Sequence, residues 1–397
     1  MDKLSVLIAS DSFKGSVSSL GIADLLEQGI HRVVPDCEVR KFAIADGGEG
    51  TVEAIVSGVG GEMREVEVSG PLGDTVCAHY GFIGEDTAIL EMAEASGITL
   101  IEQNSDNALR ASTWGVGQVM LDAIDHGAKR IYIGLGGSAT SDGGAGMAKA
   151  LGIRFLNADG EDIPCGLVGL GELASIDCSQ MTDKLDGIEV VALTDVTSPL
   201  TGPDGAVCVF GPQKGIPADQ TTHFDAWMAR YAEIMNATVG RAVDAVPGSG
   251  AAGGLGAALV AFCGARIQRG IETLLDLIGL EDAMDGVDLV ITGEGRMDSQ
   301  SAFGKAPIGV AKRAKRHGIP VVAVVGGRAD DLGTVYDEGI DLVLSIATGP
   351  ITLAESIAHA DTLVPIAGEN AIRALLLGSK LRAEHESQEA SAIFSAA

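Results

Sequence analysis

Short apolar runs recur along the chain, and each one stops at a polar or glycine-rich segment. Runs of this length bounded by turn residues are typical of buried β-strands. They predict strands over residues 4–9, 38–44, 130–133, 190–193, 287–292 and 320–325. Between them, apolar residues at helical spacing predict helices over residues 16–34, 112–124, 255–263, 302–316 and 354–359. This alternation predicts an α/β fold with mainly parallel sheets, in which ligands bind beyond the carboxyl ends of the strands.

The regular alternation is interrupted in the middle of the chain. A turn-rich break over residues 68–73 precedes two runs, 78–83 and 87–92, that are typical of a β-rich pair, and the alternation resumes after residue 285. We therefore predict two dissimilar domains. Residues 1–68 and 286–397 form a discontinuous Rossmann-like or flavodoxin-like domain with a mainly parallel sheet. Residues 69–285 form an inserted α/β domain with a glycine-rich phosphate loop.

The composition restricts both the core and the partners. Hydrophobic residues make up 46% of the 397 residues and aromatic residues only 4%, so Ala, Val, Leu and Ile must build the core. Such residues suit helices packed on a parallel sheet. The formal net charge of −28 repels nucleic acid and anionic membranes, so neither is an expected partner.

The six cysteines are scattered, with no Cys-x-x-Cys pair and no histidine at a familiar ligand spacing from any of them. We therefore expect no structural zinc site, and free thiols fit a reducing cytoplasm. The apolar run near the N-terminus is too short for a signal peptide. Residues 246–265 carry no charge, over a length that could span a membrane. Their first half is rich in glycine, so a loop that runs into a buried helix from Leu255 is favoured.

The segment GLGGSATSDGGAG, residues 134–146, holds six glycines in thirteen residues. Its backbone N–H groups, with the hydroxyls of Ser138, Thr140 and Ser141, can surround a phosphate at the start of the next helix. The segment also begins with G-x-G-x-x-A, a dinucleotide fingerprint, and Asp159 stands about twenty residues further on. A third alternative is that Ser141 and Asp142 form a helix N-cap.

Acidic residues also stand in or beside the loops that follow predicted strands, and basic residues are embedded in loops of glycine and serine. The acids are Asp11, Asp46, Glu49, Asp142, Asp195, Glu294 and Asp298, and the cations are Lys14, Lys214, Arg296 and Lys305. Carboxylates there can hold Mg²⁺ or accept a substrate proton, and the cations can bind an anion. These groups favour phosphoryl transfer, which needs positioning and charge neutralisation more than a covalent nucleophile. The alternatives are an NAD-dependent oxidoreductase acting on a small hydroxy acid and a non-enzymatic sensor of sugar acids.

Six loop segments together resemble the bacterial glycerate kinase family, type I. They are residues 9–16, 45–51, 134–146, 195–200, 209–215 and 292–300. The resemblance extends over nearly the whole chain, from residue 4 to residue 375. Ser10, Ser141 and Met297 stand where the family is expected to have proline, asparagine and leucine, and none of these differences removes a charged group.

The resemblance implies a cytoplasmic, ATP-dependent kinase that phosphorylates D-glycerate by in-line transfer with Mg²⁺. The expected product is 2-phosphoglycerate, with 3-phosphoglycerate as the alternative. The resemblance also implies two dissimilar α/β domains with the active site in the cleft between them. A homodimer is an open alternative to a monomer.

Roles for individual residues follow from the resemblance as hypotheses. Asp195 is the expected base for the glycerate hydroxyl, Lys14 and Lys305 neutralise phosphate charge, and Arg296 pairs with the glycerate carboxylate. The other expected contacts are Gly136, Gly137, Ser138 and Thr140 around the ATP phosphates, Asp298 and Ser12 at the substrate, and Asp46 and Asp142 at Mg²⁺. Whether Asp142 binds the metal or caps a helix stays open at this point.

Overall fold

The computed structural model describes residues 3–13, 15–44, 50–302 and 305–395, with side chains up to residue 381. The strands are β1 (Ser5–Ser10), β2 (Glu38–Ala43), β3 (Glu62–Ser69), β4 (Thr75–Ile83), β5 (Thr87–Glu91), β6 (Arg130–Gly134), β7 (Arg154–Leu156), β8 (Ser175–Asp177), β9 (Glu189–Leu193), β10 (Arg266–Gln268), β11 (Leu289–Met297), β12 (Val321–Arg328) and β13 (Leu342–Ser345). The α-helices are α1 (Ser19–Val33), α2 (Thr51–Val59), α3 (Met92–Ser96), α4 (Ser105–Arg110), α5 (Trp114–Asp125), α6 (Ala145–Ala150), α7 (Leu167–Leu170), α8 (Ala206–Lys214), α9 (Thr221–Val239), α10 (Leu255–Cys263), α11 (Gly270–Leu277), α12 (Ala306–Arg316), α13 (Leu353–Ala358) and α14 (Ala360–Ser395). The predicted α/β class with mainly parallel sheets is confirmed.

The chain divides into two units. The first unit comprises Met1–Asp46 and Leu275–Ala397, and the second comprises Gly47–Leu274. These boundaries differ from the predicted ones, which follow residue 68 and precede residue 286. The difference has a physical cause, because β3 pairs with β4 along its whole length and α2 packs against β4. Both elements are therefore part of the second unit.

The first unit is built on a sheet of five parallel strands in the order β13-β12-β11-β1-β2. Alternate apolar side chains of β1, β11 and β12 pack with side chains of α1 and α14 in one buried core. This core includes Val6, Ile291, Val324, Leu26 and Val364. The register pairs Ser10 with Gly293. The residues that follow β1 therefore lie beside the carboxyl-terminal half of β11.

The second unit is built on a six-stranded sheet in the order β10-β9-β6-β5-β4-β3. The strands from β10 to β5 are mutually parallel, whereas β4 and β3 are antiparallel to their neighbours. Helices α5, α6, α9 and α10 supply Met120, Met147, Tyr231 and Leu259 to one continuous buried core. The carboxyl ends of β5, β6, β9 and β10 lie along one edge of this sheet, which places the loops after them together.

The uncharged stretch over residues 246–265 forms a glycine-rich loop and a helix. A 3₁₀ turn spans Ala251–Gly254, and α10 begins at Leu255, as predicted. Nearly all of α10 is buried in the core of the second unit. Among the described residues, no helix is both long enough and apolar enough to cross a membrane.

Candidate active site

Three loops of the second unit meet at the carboxyl ends of β6 and β9. They are residues 135–144 after β6, residues 194–205 after β9, and residues 247–254 before α10, and we call them the three-loop cluster. Backbone hydrogen bonds of 3.0 Å join the loops, because Gly143 donates to Gly253 and Gly250 donates to Ser198. Leu135 donates to Leu193, the last residue of β9, also at 3.0 Å. The glycine-rich segment singled out in the sequence therefore forms one wall of a larger site.

Asp142 lies at the centre of this cluster and is fully buried. Its Oδ2 accepts hydrogen bonds from the Thr113 backbone N–H at 2.8 Å, the Thr113 hydroxyl at 2.9 Å and the Gly146 N–H at 3.1 Å. Its Oδ1 accepts one from the Gly144 N–H at 3.0 Å. Burial raises the pKa of Asp142, and these four donors oppose that rise. The contacts favour a role in holding the start of α6 to the start of α5 over metal binding.

Close packing explains two of the glycines in the cluster. Gly143 has a φ of +65°, and a Cβ there would lie 2.3 Å from the ring of Tyr231, whose hydroxyl donates to the Gly143 carbonyl at 2.9 Å. Gly253 also has a φ of +65°, and a Cβ there would lie 2.0 Å from the Thr140 carbonyl oxygen. Only glycine adopts this backbone shape without strain and leaves this space.

Lys214 also holds the glycine-rich loop after β6, through hydrogen bonds from its side chain. It is the last residue of α8, and its side chain is only 3% exposed. Its Nζ donates to the Ser138 hydroxyl at 2.9 Å and to the Thr140 carbonyl at 2.6 Å. Burial lowers the pKa of Lys214 to about 7, and the nearby charge of Asp142 opposes that change. The sequence shows Lys214 as a cation in a glycine-rich segment but does not predict these contacts.

The predicted phosphate contacts differ in how accessible they are. Gly137 is exposed with a φ of +70°, and Gly136 and Ser138 are half-buried. Thr140 is fully buried, and its hydroxyl has no hydrogen-bond partner among the described residues. The positions of Gly136, Gly137 and Ser138 therefore suit contact with an anion. The position of Thr140 does not support its predicted role, and its carbonyl instead helps to anchor the loop.

Asp195 stands two residues after the end of β9, in the second loop of the cluster. Its side chain is exposed. Because β9 pairs with β6 in parallel, with Leu193 opposite Gly134, the Asp195 loop runs beside the glycine-rich loop. A carboxylate in this position is open to a substrate that contacts the same edge of the sheet, as a general base must be.

A second group of predicted residues lies in the first unit, around β11. This strand continues to Met297, five residues beyond the predicted end, so Glu294 and Arg296 lie on a strand and not in a loop. Glu294 is 6% exposed, and its Oε2 accepts a hydrogen bond from Lys305 Nζ at 2.9 Å. Lys305 Nζ also donates to the Ser301 hydroxyl at 3.3 Å. Lys305 is thus held beside a buried carboxylate.

The remaining predicted residues of the first unit lie near the same strand end. Arg296 is exposed, and it forms no ion pair with any residue that the structure describes. The Asp298 carboxylate accepts from the Gln300 N–H at 3.0 Å and so shapes the turn after β11. Half-buried Ser12 follows β1, and its N–H donates to the Asp11 carboxylate at 2.7 Å. Lys14 and Asp46 lie outside the described residues.

Glu91, the last residue of β5, was not among the predicted site residues. Its Oε1 accepts a hydrogen bond from the Val52 N–H at 2.8 Å in the first turn of α2, just after the segment that contains Asp46. Its side chain is 8% exposed. Burial raises the pKa of Glu91 to about 7, and hydrogen bonds from backbone N–H groups in this turn oppose the rise. A buried carboxyl of this kind is a stability determinant that a sequence does not reveal.

Glu91 should make the second unit less stable as the pH rises from 4.5, its ordinary pKa, to about 7. Over this range the unfolded chain loses the carboxyl proton while the native chain keeps it, so the free energy of unfolding falls. The expected loss is about 3 kcal/mol in total, and it levels off above the native pKa. Urea unfolding of the wild type and of Glu91→Gln across this range measures it. A stability difference between the two proteins that is independent of pH would contradict the assignment.

A cavity of about 620 Å³ opens on the second unit next to the buried network. Ser112 and Trp114 line it on either side of Thr113, the residue that binds Asp142. Arg110 and Asp106 also line it and form an ion pair at 3.2 Å. An indole and a guanidinium can contact an aromatic ring and an anion. None of the predicted site residues that the structure describes lines this cavity, because its walls come from segments without a motif.

A model of the glycerate kinase family matches residues 6–376 of the chain. The chain belongs to the glycerate kinase family. A glycerate kinase of Halalkalibacterium halodurans is 43% identical over 366 residues, which cover 92% of this chain and 96% of that protein. The glycerate 2-kinase of Escherichia coli is 42% identical over 378 residues, which cover 95% and 99%. A crystal structure of a proposed glycerate kinase 2 from Salmonella typhimurium LT2 has a TM-score of 0.86 at 43% identity, and the match covers 96% of this chain and all of that one.

These similarities confirm the family resemblance and the expectation of an enzyme of the glycerate kinase family. They also weigh against the dinucleotide alternative, which the topology does not support. In a dinucleotide fold the strand after α6 would join the sheet and end at the ribose-binding acid. Here β7 leaves the sheet to pair with β8, and Asp159 lies exposed in the turn after β7.

Proposed function

We propose that this member of the glycerate kinase family transfers the γ-phosphoryl group of ATP to D-glycerate. The observation that carries the proposal is the family match over residues 6–376, combined with a glycine-rich loop beside an exposed aspartate at neighbouring strand ends. The name of the E. coli relative, glycerate 2-kinase, favours 2-phosphoglycerate as the product.

Each step of the transfer has a candidate group. Asp195 takes the proton of the glycerate hydroxyl, whose oxygen then forms a bond to the γ-phosphorus as the bond to the ADP oxygen breaks. The exposed backbone at Gly136 and Gly137, with the Ser138 hydroxyl, binds phosphate oxygens. Lys305 neutralises phosphate charge, as Lys14 is proposed to do.

The proposal includes Mg²⁺, but its ligands differ from the expected pair, Asp46 and Asp142. Asp142 fits a metal poorly, because four donors already occupy its two oxygens. In the first unit, Asp11 follows the last residue of β1, and Glu294 lies on the neighbouring strand β11, directly after Gly293, which pairs with Ser10. Glu294 Oε1 has no hydrogen-bond partner among the described residues. Hard oxygen ligands of this kind suit Mg²⁺. Asp11, Glu294 and Asp46 would hold the ion, which neutralises phosphate charge when bound.

The direct test supplies purified protein with D-glycerate, ATP and Mg²⁺ and identifies the product by phosphorus NMR. ADP release in a coupled assay and a 2-phosphoglycerate resonance are the expected results. A 3-phosphoglycerate resonance would overturn only the proposed position of the phosphate on glycerate. Glycerate binding without ADP release would overturn the proposal, and so would a nicotinamide absorbance change that depends on glycerate.

Arg296→Ala should raise the KM for glycerate by about 10- to 100-fold, because a charge-assisted bidentate contact to a carboxylate is lost. The KM for ATP should stay nearly unchanged. Arg373→Ala is a matched control, since Arg373 is an exposed arginine of the same unit that pairs with Glu369 on α14. Steady-state kinetics with each substrate varied in turn measures both effects. An unchanged KM for glycerate in Arg296→Ala would exclude the carboxylate contact.

The proposed location is the reducing cytoplasm. All six cysteines are free thiols, which fits such a compartment. The homodimer stays a prediction that light scattering of the purified protein can check.

A further inference from the structure

The outer strand pair of the second unit carries an unusual set of side chains on one exposed face. In the antiparallel pair, Glu65 lies opposite His79 and Glu67 lies opposite Cys77. Residues two apart on a strand point to the same side, so all four share one face of the sheet. All four are exposed. The face therefore combines a thiol, an imidazole and carboxylates that solvent can reach.

Three of these side chains come close enough to share one ion. Ligand atoms of Glu65, Cys77 and His79 all lie within 4.8 Å of one another, and Cys77 Sγ lies 3.9 Å from Glu65 Oε2. Ligand atoms around a tetrahedral Zn²⁺ stand about 3–4 Å apart, so small side-chain rotations would complete the geometry.

The imidazole of His79 is also oriented by a carboxylate outside the cluster. Glu94, on α3, accepts a hydrogen bond from the His79 backbone N–H at 2.9 Å, and the same oxygen lies 3.0 Å from His79 Nδ1. A carboxylate that accepts from one ring nitrogen leaves the other as a metal ligand, which is the usual arrangement of metal-binding histidines. Glu94 therefore supplies the outer partner that such a site requires.

We propose that Glu65, Cys77 and His79 form a Zn²⁺ site on the β3–β4 pair, with water or Glu67 in the fourth position. A thiolate and an imidazole select zinc over Mg²⁺ and Ca²⁺, which prefer oxygen ligands alone. The site is separate from the Mg²⁺ expected in phosphoryl transfer. Cys77-x-His79 is not a familiar ligand spacing, so the sequence predicts no structural zinc site; on a strand, however, this spacing places both residues on one side.

The bound ion would join the edge strand of the sheet to its neighbour. β3 has no further strand on its outer side in the six-stranded sheet. A ligand from β3 and two from β4 cross-link the pair, and an ion that binds only the folded chain raises the unfolding temperature. Zn²⁺ should therefore raise the Tm of the wild type in a concentration-dependent way.

The test uses the full chain without an affinity tag, stripped of metal and kept in excess Mg²⁺. Titration with Zn²⁺ against a chelating dye gives stoichiometry and Kd, and Co²⁺ in place of Zn²⁺ reports a thiolate ligand through its charge-transfer absorption. We expect one ion per chain in the wild type, with that absorption. Cys77→Ser should abolish the absorption. His79→Gln should weaken binding at least about 100-fold, and Glu94→Gln about 10-fold, the scale for an outer partner.

Cys165→Ser is the matched control, because Cys165 is an exposed thiol of the same unit outside the cluster. It should bind Zn²⁺ and Co²⁺ as the wild type does. All the substituted side chains lie outside the core, and circular dichroism with the metal-free Tm verifies that each variant is folded. Binding that persists unchanged in Cys77→Ser and His79→Gln would overturn the site. A wild-type Co²⁺ spectrum without thiolate absorption would also overturn it.

Discussion

Asp195→Asn should lower kcat for glycerate phosphorylation by about 10²- to 10⁴-fold, the usual contribution of a general base. The asparagine amide keeps the size of the side chain but cannot accept the hydroxyl proton. The KM for ATP should change little, since the role proposed for Asp195 is on the acceptor and not on the nucleotide. Initial rates of ADP release at saturating ATP and glycerate measure the effect.

Asp219→Asn provides the comparison for this variant. Asp219 is an exposed aspartate of the same unit, just before α9 and not part of the three-loop cluster, and its substitution removes the same charge. Its kcat should match that of the wild type. If Asp195→Asn also keeps a wild-type kcat, Asp195 is not the base.

Asp142→Ala should destabilise the second unit by at least about 3 kcal/mol. Three buried backbone N–H groups and the Thr113 hydroxyl would lose their acceptor, and each unsatisfied buried donor costs about 1–3 kcal/mol. Urea unfolding in the absence of nucleotide and metal measures this loss directly. Asp159→Ala removes an exposed acid from a turn and should change stability by less than about 0.5 kcal/mol.

The Asp142→Ala variant also tests whether Asp142 holds the helix starts or binds a metal ion. If Asp142 only holds the helix starts, then Mg²⁺ shifts the unfolding midpoint of the wild type and of Asp142→Ala by the same amount. If Asp142 is a ligand, the shift disappears in the variant. A small stability loss together with a lost Mg²⁺ response would contradict the capping role.

Local signals in the sequence predict most of the secondary structure around the site. The helix over residues 255–263 is observed with those bounds, because glycines end the loop before it and Gly264 follows its last residue. The strand over residues 190–193 is observed one residue longer, as Glu189–Leu193. The spacing of apolar residues and the positions of turn-forming residues are short-range features, so a single sequence is enough to reveal them.

Long-range pairing limits what the sequence predicts about domains. Most side chains of β3 are exposed or half-buried, and only Val68 is buried, so its residues do not form the apolar run that marks a buried strand. Its pairing with β4 and its contacts with α5 assign residues 62–69 to the second unit. The extension of β11 through Gly293 and Gly295 was also missed, because glycines usually mark a loop and here they lie beside β12.

For the candidate site too, the sequence predicts features that depend on neighbouring residues and misses contacts between distant ones. Residue type and loop position were enough to single out Asp195, Lys305 and the glycine-rich loop as candidates. The hydrogen bonds between Asp142 and Thr113 connect residues about thirty positions apart, and the Lys214 contacts span more than seventy. No periodicity encodes such contacts, because tertiary packing alone brings those side chains together.

The Lys214 contacts have a consequence for the thermodynamics of nucleotide binding. A loop this rich in glycine has much backbone freedom, and ordering it at the moment of binding would oppose the association. Here the ammonium ties Ser138 and Thr140 to the end of α8, so that entropy is lost when the chain folds. For the proposed contact with the ATP phosphates, this backbone is thus preorganised, and nucleotide affinity should carry only a small penalty for ordering the loop.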